Sequence, residues 1–187
     1  MIRAFVAIPL PDEVAGDLVA AQAGLPAGRP VEPENLHLTL AFLGEHPEPV
    51  IEDVHFALAA FRLPSFDLTL EGLGLFGDVR PRVLYAGIRR EPGLTRLRDK
   101  VVQAARGAGL DPERKRYQPH VTLARFNREL DGADALRVRD FAGAGGGFRA
   151  RPFRVESFGL WRSFLGRSGA IHEEMAEYPL DAAPVGR

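Results

Sequence analysis

Two spacings of apolar residues take turns along the chain. Residues 2–8 form an apolar run of strand length, bounded by Pro9 and Pro11. Residues 11–23 then carry Val14, Leu18 and Val19 on one helical stripe, with Pro11 near the first turn, where a missing N–H costs nothing. A Gly/Pro-rich loop over 24–33 leads to a second strand-like run at 36–43, which Gly44 ends. Val50, Val54, Ala57, Leu58 and Phe61 recur at helical spacing over 49–61. Over 66–73, Phe66, Leu68 and Leu70 alternate with Asp67, Thr69 and Glu71, the pattern of a half-buried strand.

The order then returns. Residues 83–88 predict a strand and 94–108 a helix, with Leu94, Leu97, Val101 and Ala104 or Ala105 inward and Gly107 and Gly109 at its end. A basic connector over 114–119 enters a strand at 120–126. A weak helical pattern covers 133–141 and a glycine-rich loop 142–147. Strands are predicted at 153–160 and 172–180, with 162–169 a loop or hairpin connection. The chain thus reads strand, helix, strand, helix, strand, twice over, with one strand added. That order predicts one α+β domain over 1–187 with two lobes. The first repeat spans about 1–75 and the second about 80–161, and the strand at 172–180 completes the fold.

A polar pattern recurs inside two of the apolar runs: His37-Leu38-Thr39-Leu40 and His120-Val121-Thr122-Leu123. Side chains alternate faces along a strand, so each His shares a face with its Thr and each apolar pair takes the other face. Five histidines and four threonines scattered independently would give about 0.1 such pairs, so two copies in matching surroundings point to a shared role. A duplicated fold brings both polar faces to one cleft. There one imidazole can act as general acid and the other as general base, because the unperturbed pKa of about 6.5 lets both states coexist near neutrality. The two motifs are so alike that the residues alone leave the acid and base roles interchangeable.

With 187 residues, 45% hydrophobic and 26% charged, the chain has the make-up of a folded domain able to bury a core. A net charge of −1 offers no global attraction to nucleic acid or an anionic membrane, so any phosphate must be recognised by a local cluster. The absence of cysteine excludes disulfides and thiolate metal sites and agrees with a cytoplasmic protein. No uncharged apolar stretch reaches about 18 residues, so neither a membrane span nor a membrane partner is expected. The glycine-rich stretch at 142–147 lacks the Lys-Ser/Thr of a phosphate-binding P-loop. No His/Asp/Glu cluster at metal spacing accompanies either motif, so neither a metal nor any other cofactor is expected.

The segments Glu34-Asn35-Leu36-His37-Leu38-Thr39-Leu40-Ala41-Phe42-Leu43-Gly44 and Pro119-His120-Val121-Thr122-Leu123-Ala124-Arg125 closely resemble the paired motifs of the 2H phosphoesterases. Within that superfamily the chain resembles the RNA 2′,3′-cyclic phosphodiesterases, also called LigT or ThpR and long labelled 2′-5′ RNA ligases. Arg3-Ala4-Phe5-Val6-Ala7-Ile8, Pro81-Arg82-Val83-Leu84-Tyr85-Ala86-Gly87 and Val155-Glu156-Ser157-Phe158 extend the likeness, which runs to about Leu180. The resemblance implies a bilobal, pseudo-two-fold fold: two antiparallel sheets lining a water-filled cleft, helices outside, and no metal. It implies hydrolysis of an RNA terminal 2′,3′-cyclic phosphate to a 2′-phosphate, with reversible 2′-5′ ligation as a minor activity. It also implies that His37 is the proton donor and His120 the proton acceptor. Thr39 and Thr122 would bind the phosphate oxygens, and Phe42 and Arg125 would lie near the substrate. Substrates would be RNA ends or small cyclic nucleotides, handled by a monomer. The stretch 161–172 departs from the more compact connector of the family.

Strict alternation puts Arg125, five residues after His120, on the wrong face, so it reaches the cleft only near the strand end or through a bulge. Phe42 holds the matching place in the first repeat and is either core or a stacking platform for a base. The run Arg114-Lys115-Arg116-Tyr117 is either a solvated face or a contact for the RNA backbone. His46, His55 and His172 lack matching partners and read as non-catalytic. Competing readings are a phosphodiesterase for 2′,5′-linked oligonucleotides or small nucleotide-derived cyclic phosphates, a non-catalytic RNA-binding module, and a metal protein. Both His-Thr pairs are intact, which argues against the binding module.

Overall fold

The computed structural model describes residues 1–77, 80–112, 117–126, 130–166 and 169–182. The first repeat contains β1 (Ile2–Pro9), α1 (Asp12–Gln22), β2 (Arg29–Pro30), β3 (His37–His46), α2 (Glu48–Ala59), β4 (Phe66–Leu68) and β5 (Leu70–Phe76). The second contains β6 (Val83–Ile88), α3 (Pro92–Gly107), β7 (His120–Arg125), α4 (Gly132–Ala144), β8 (Phe153–Val155) and β9 (Ser157–Gly166), and β10 (Gly169–Pro179) follows. The helices start where the chain supplies the right chemistry. Glu91 and Asp131 accept from the N–H groups of Gly93 and Asp134 at the starts of α3 and α4. Pro11 and Pro47 precede α1 and α2, whose first turns carry Asp12, Glu13 and Glu48 against the helix dipole.

The main sheet runs β10-β9-β1-β3-β7-β6-β5, with β2 added beside β7, and β4 pairs with β8 in a separate two-stranded sheet. Its order is nearly a palindrome about the β3–β7 contact: β1 matches β6, and β9 matches β5. Each repeat therefore sends its last strand to the other half, β5 beside β6 and β9 beside β1. So 157–166, which ends the second repeat in sequence, belongs by pairing to the first lobe's sheet. The two antiparallel sheets expected of the lobes meet edge to edge at one antiparallel pair, Leu38 with Val121. On either side of that pair the strands splay, and β2 takes up the free edge of β7 at Ala124 and Arg125.

One face of the sheet carries Ala4, Val6, Ile8, Leu38, Leu84, Ala86 and Val121 into the core, against Leu18, Val54, Leu58, Leu97 and Val101 of the helices. Leu38 and Val121 are both 0% exposed, so the pair that joins the lobes is anchored from beneath. The opposite face carries the motif side chains.

Several predicted elements differ in detail. The strand expected over 66–73 is two strands, because Thr69 passes the chain from one sheet to the other. Residues 142–147, read as a loop, finish α4 and add a 3-10 turn at Gly145–Gly147. The strand at 153–160 is likewise split into β8 and β9, and β9 runs on to Gly166. Residues 114–116 of the basic run lie outside the described residues.

Candidate active site

The single β3–β7 pair fixes how the two motifs face one another. With Leu38 level with Val121 in antiparallel sense, His37 stands level with Thr122 and Thr39 with His120. In register, each motif histidine thus holds the position opposite the other motif's threonine. Farther along, both strands skip one residue. β1 pairs Ala7 with Thr39 and Val6 with Ala41, leaving Leu40 extra, and β6 pairs Tyr85 with Thr122 and Leu84 with Ala124, leaving Leu123 extra. Each bulge shifts the alternation by one. Leu40 and Ala41 are both buried, as are Leu123 and Ala124, and Phe42 and Arg125 emerge on the motif face. The bulge that Arg125 requires is therefore present, and Phe42 is 60% exposed rather than core. In β7 the bulged backbone is held: the Leu123 carbonyl accepts from Gln22 Nε2 and from the Val31 N–H, each at 2.8 Å.

The two imidazoles are oriented alike. His37 Nδ1 lies 2.8 Å from the carbonyl of Asn35, and His120 Nδ1 lies 2.8 Å from that of Gln118. A carbonyl only accepts, so each Nδ1 carries the hydrogen and donates it. That leaves each Nε2 as the nitrogen available for proton transfer. Burial pushes the His37 pKa down to about 4, against the opposing Asn35 hydrogen bond and with help from His172, Arg125 and His120. Burial also lowers His120, with Arg125 adding to it and the Gln118 bond opposing. Arg125 acts on both motif histidines and on His172, so its guanidinium charge is felt throughout the cleft. Tyr117 completes the frame: its hydroxyl donates to the Thr39 carbonyl at 3.0 Å, and burial raises its pKa.

Aromatic rings seat each histidine. Phe5 packs against His37 and His172, with ring centroids 4.9 Å from each, and lies 6.1 Å from Phe42. Phe76 and Tyr85 seat His120, at 4.8 and 5.5 Å. The sequence pattern sets His172 apart, yet the β9–β10 hairpin brings its ring edge-on to His37 at 5.2 Å. Nothing in the local sequence around His172 signals this. His55 and His46 are occupied elsewhere, with the Tyr178 hydroxyl and the Leu43 carbonyl. A cavity of about 580 Å³ opens beside His37 toward α1.

The pattern of the LigT like phosphoesterase family matches residues 8–85 and 87–172. The chain belongs to this family. An RNA 2′,3′-cyclic phosphodiesterase of Aeropyrum pernix is 37% identical over 171 residues, covering 89% of this chain and 93% of that protein. Among solved structures, TT0787 of Thermus thermophilus superposes with a TM-score of 0.78 at 30% identity, covering 97% of this chain and 99% of that one. LigT of Escherichia coli complexed with 3′-AMP superposes with a TM-score of 0.77 at 28% identity, covering 96% and 98%. Members of the LigT-like family thus share this chain's fold along nearly its whole length. No described helix is long and apolar enough to cross a membrane.

Proposed function

We propose that this protein hydrolyses the 2′,3′-cyclic phosphate at an RNA end to a 2′-phosphate, without a metal, by paired-histidine acid–base catalysis. The observation that carries the reading is the pair of Nδ1-anchored imidazoles across the Leu38–Val121 seam, each with its Nε2 free and a threonine opposite. The relative named RNA 2′,3′-cyclic phosphodiesterase and the E. coli LigT complex with 3′-AMP support the substrate class.

In-line displacement at phosphorus needs the attacking and leaving oxygens on opposite sides. Water attacks as neutral His120 Nε2 takes its proton. The P–O3′ bond breaks as His37 Nε2–H donates to the departing ribose oxygen, and the phosphate stays on O2′. Each role contributes typically about 10²–10⁴ in rate. The Thr39 and Thr122 hydroxyls and the Arg125 guanidinium stabilise charge on the non-bridging oxygens, where preorganised donors act most strongly. Phe42 offers its exposed ring to the substrate. The donor and acceptor assignment follows the family resemblance of the motifs. The proposal takes RNA ends or small cyclic nucleotides as substrates, handled by a monomer in the cytoplasm.

A 5′-hydroxyl can replace water in the same geometry, which gives 2′-5′ ligation, but water at bulk concentration keeps it minor. Turnover of a cyclic-ended oligoribonucleotide, a cyclic mononucleotide and a 2′,5′-linked dimer should follow that order. A clear preference for the dimer, or ligation outpacing hydrolysis, overturns the assignment.

A further inference from the structure

We propose that the cavity beside His37 is the pocket for the nucleobase of the terminal nucleotide, and that its carboxylates favour bases presenting an exocyclic amino group. The proposal rests on the phosphodiesterase reading, which fixes a direction. If His37 protonates the departing ribose oxygen, in-line geometry puts the ribose on the His37 side of phosphorus and the water on the His120 side. The base must then extend away from phosphorus past His37. The cavity lies there, and its volume of about 580 Å³ falls within the range of about 300–1,000 Å³ usual for ligand pockets.

The lining suits a flat, uncharged heteroaromatic ring. Phe5, Trp161, His172 and Leu36 supply ring and apolar surface, and Trp161 stacks near Phe5 at 16° with centroids 6.5 Å apart. The acidic members of the lining are Asp12 on α1 and Glu34 in the 3-10 turn at Pro33–Asn35 before β3. Two carboxylates repel a second phosphate, so the cavity does not continue the track of the RNA backbone. Ionised carboxylates accept hydrogen bonds and donate none. An amino edge, as on cytosine or adenine, meets acceptors there, whereas the uracil O4 carbonyl meets like charge. On the other side of phosphorus, the rings of Phe76 and Tyr85 pack against His120.

Gly16 provides the test. It lines the cavity from α1, and a Cβ added there meets nothing within 4 Å. Gly16→Phe therefore places a ring in the cavity without disturbing the core, and replacing a helical glycine favours the helix. The experiment measures kcat/KM for the 2′,3′-cyclic phosphates of cytidine, uridine and abasic ribose, with wild type, Gly16→Phe, Asp12→Asn and Glu34→Gln. Wild type should favour cytidine over uridine by about tenfold, the worth of one charge-assisted hydrogen bond, with the abasic compound slowest. Gly16→Phe should cut cytidine turnover about tenfold or more and leave the abasic compound within about twofold. Asp12→Asn or Glu34→Gln should erase the cytidine preference with the abasic rate unchanged. Equal wild-type rates on all three compounds, or no loss of cytidine turnover in Gly16→Phe, overturn the pocket while leaving the phosphodiesterase reading intact. A folded wild type that turns over none of the three refutes that reading, and the pocket falls with it.

Discussion

Filling the cleft with a phosphate group should change His37 more than any other perturbation short of mutation. In the free protein its imidazole titrates at about 4, so at pH 7 about one molecule in a thousand carries the proton that a general acid needs. The chief cause is burial, and the positive charge of Arg125 works in the same direction. A bound phosphate reverses the second effect by answering positive charge with negative. One charge about 4 Å from the ring, at an effective dielectric constant of about 20, is worth about 4 kcal/mol. That carries the pKa from about 4 to about 7 and makes His37 a competent donor only when substrate is present. Histidine NMR titration, with the protein free and then saturated with a nucleoside 2′-phosphate, reads the change directly. The alkaline limb of kcat/KM, which reports free enzyme, should lie below that of kcat, which reports the complex. A His37 resonance that still titrates below about pH 5 in the complex refutes the reasoning and removes His37 as the acid.

Three further outcomes follow from the same structure. Arg125→Met should lower kcat/KM by about 10²–10³ and raise the pKa values of His37, His120 and His172 together in the same titration, since the guanidinium lowers all three. Unchanged titration curves would show that its charge does not reach the cleft. Because folding depresses the His37 pKa, the unfolded chain takes up the proton first on acidification. Stability is therefore fully present above about 6.5 and should fall by about 3 kcal/mol as pH drops toward 4, a loss that urea unfolding should find largely absent in His37→Asn. Leu38→Ala should cost about 2–5 kcal/mol in the same assay. It should also depress activity in the molecules that remain folded, because Leu38 makes the one residue pair joining β3 to β7.

The motif strands and helices were legible in the sequence because their burial follows simple periods: alternation along β3 and β7 as far as the bulges, helical stripes along α2 and α3. His37, Thr39, His120 and Thr122 share a face for the same reason. The bulges were not legible. Leu40-Ala41 and Leu123-Ala124 are apolar at both positions, so nothing in the residue types marks the skipped partner. Only the need to bring Arg125 to the cleft hinted at one. The exchange of β5 and β9 between the lobes depends on pairings far apart in the chain, which local periodicity does not encode. His172 reaches His37 through the same kind of pairing, β10 on β9 and β9 on β1. Phe5 was visible as an apolar strand residue, but its role as the shared seat of His37 and His172 needed the fold.

The central claim is that two imidazoles, and no metal, open a cyclic phosphate. It is tested most directly by incubating a 2′,3′-cyclic-phosphate-ended oligoribonucleotide with the protein in EDTA, alongside His37→Ala and His120→Ala, and locating the product phosphate. The account predicts full turnover by wild type to a 2′-phosphate, and a loss of about 10²–10⁴ in each variant. Turnover that EDTA abolishes, a 3′-phosphate product, or a variant that keeps wild-type activity would contradict it.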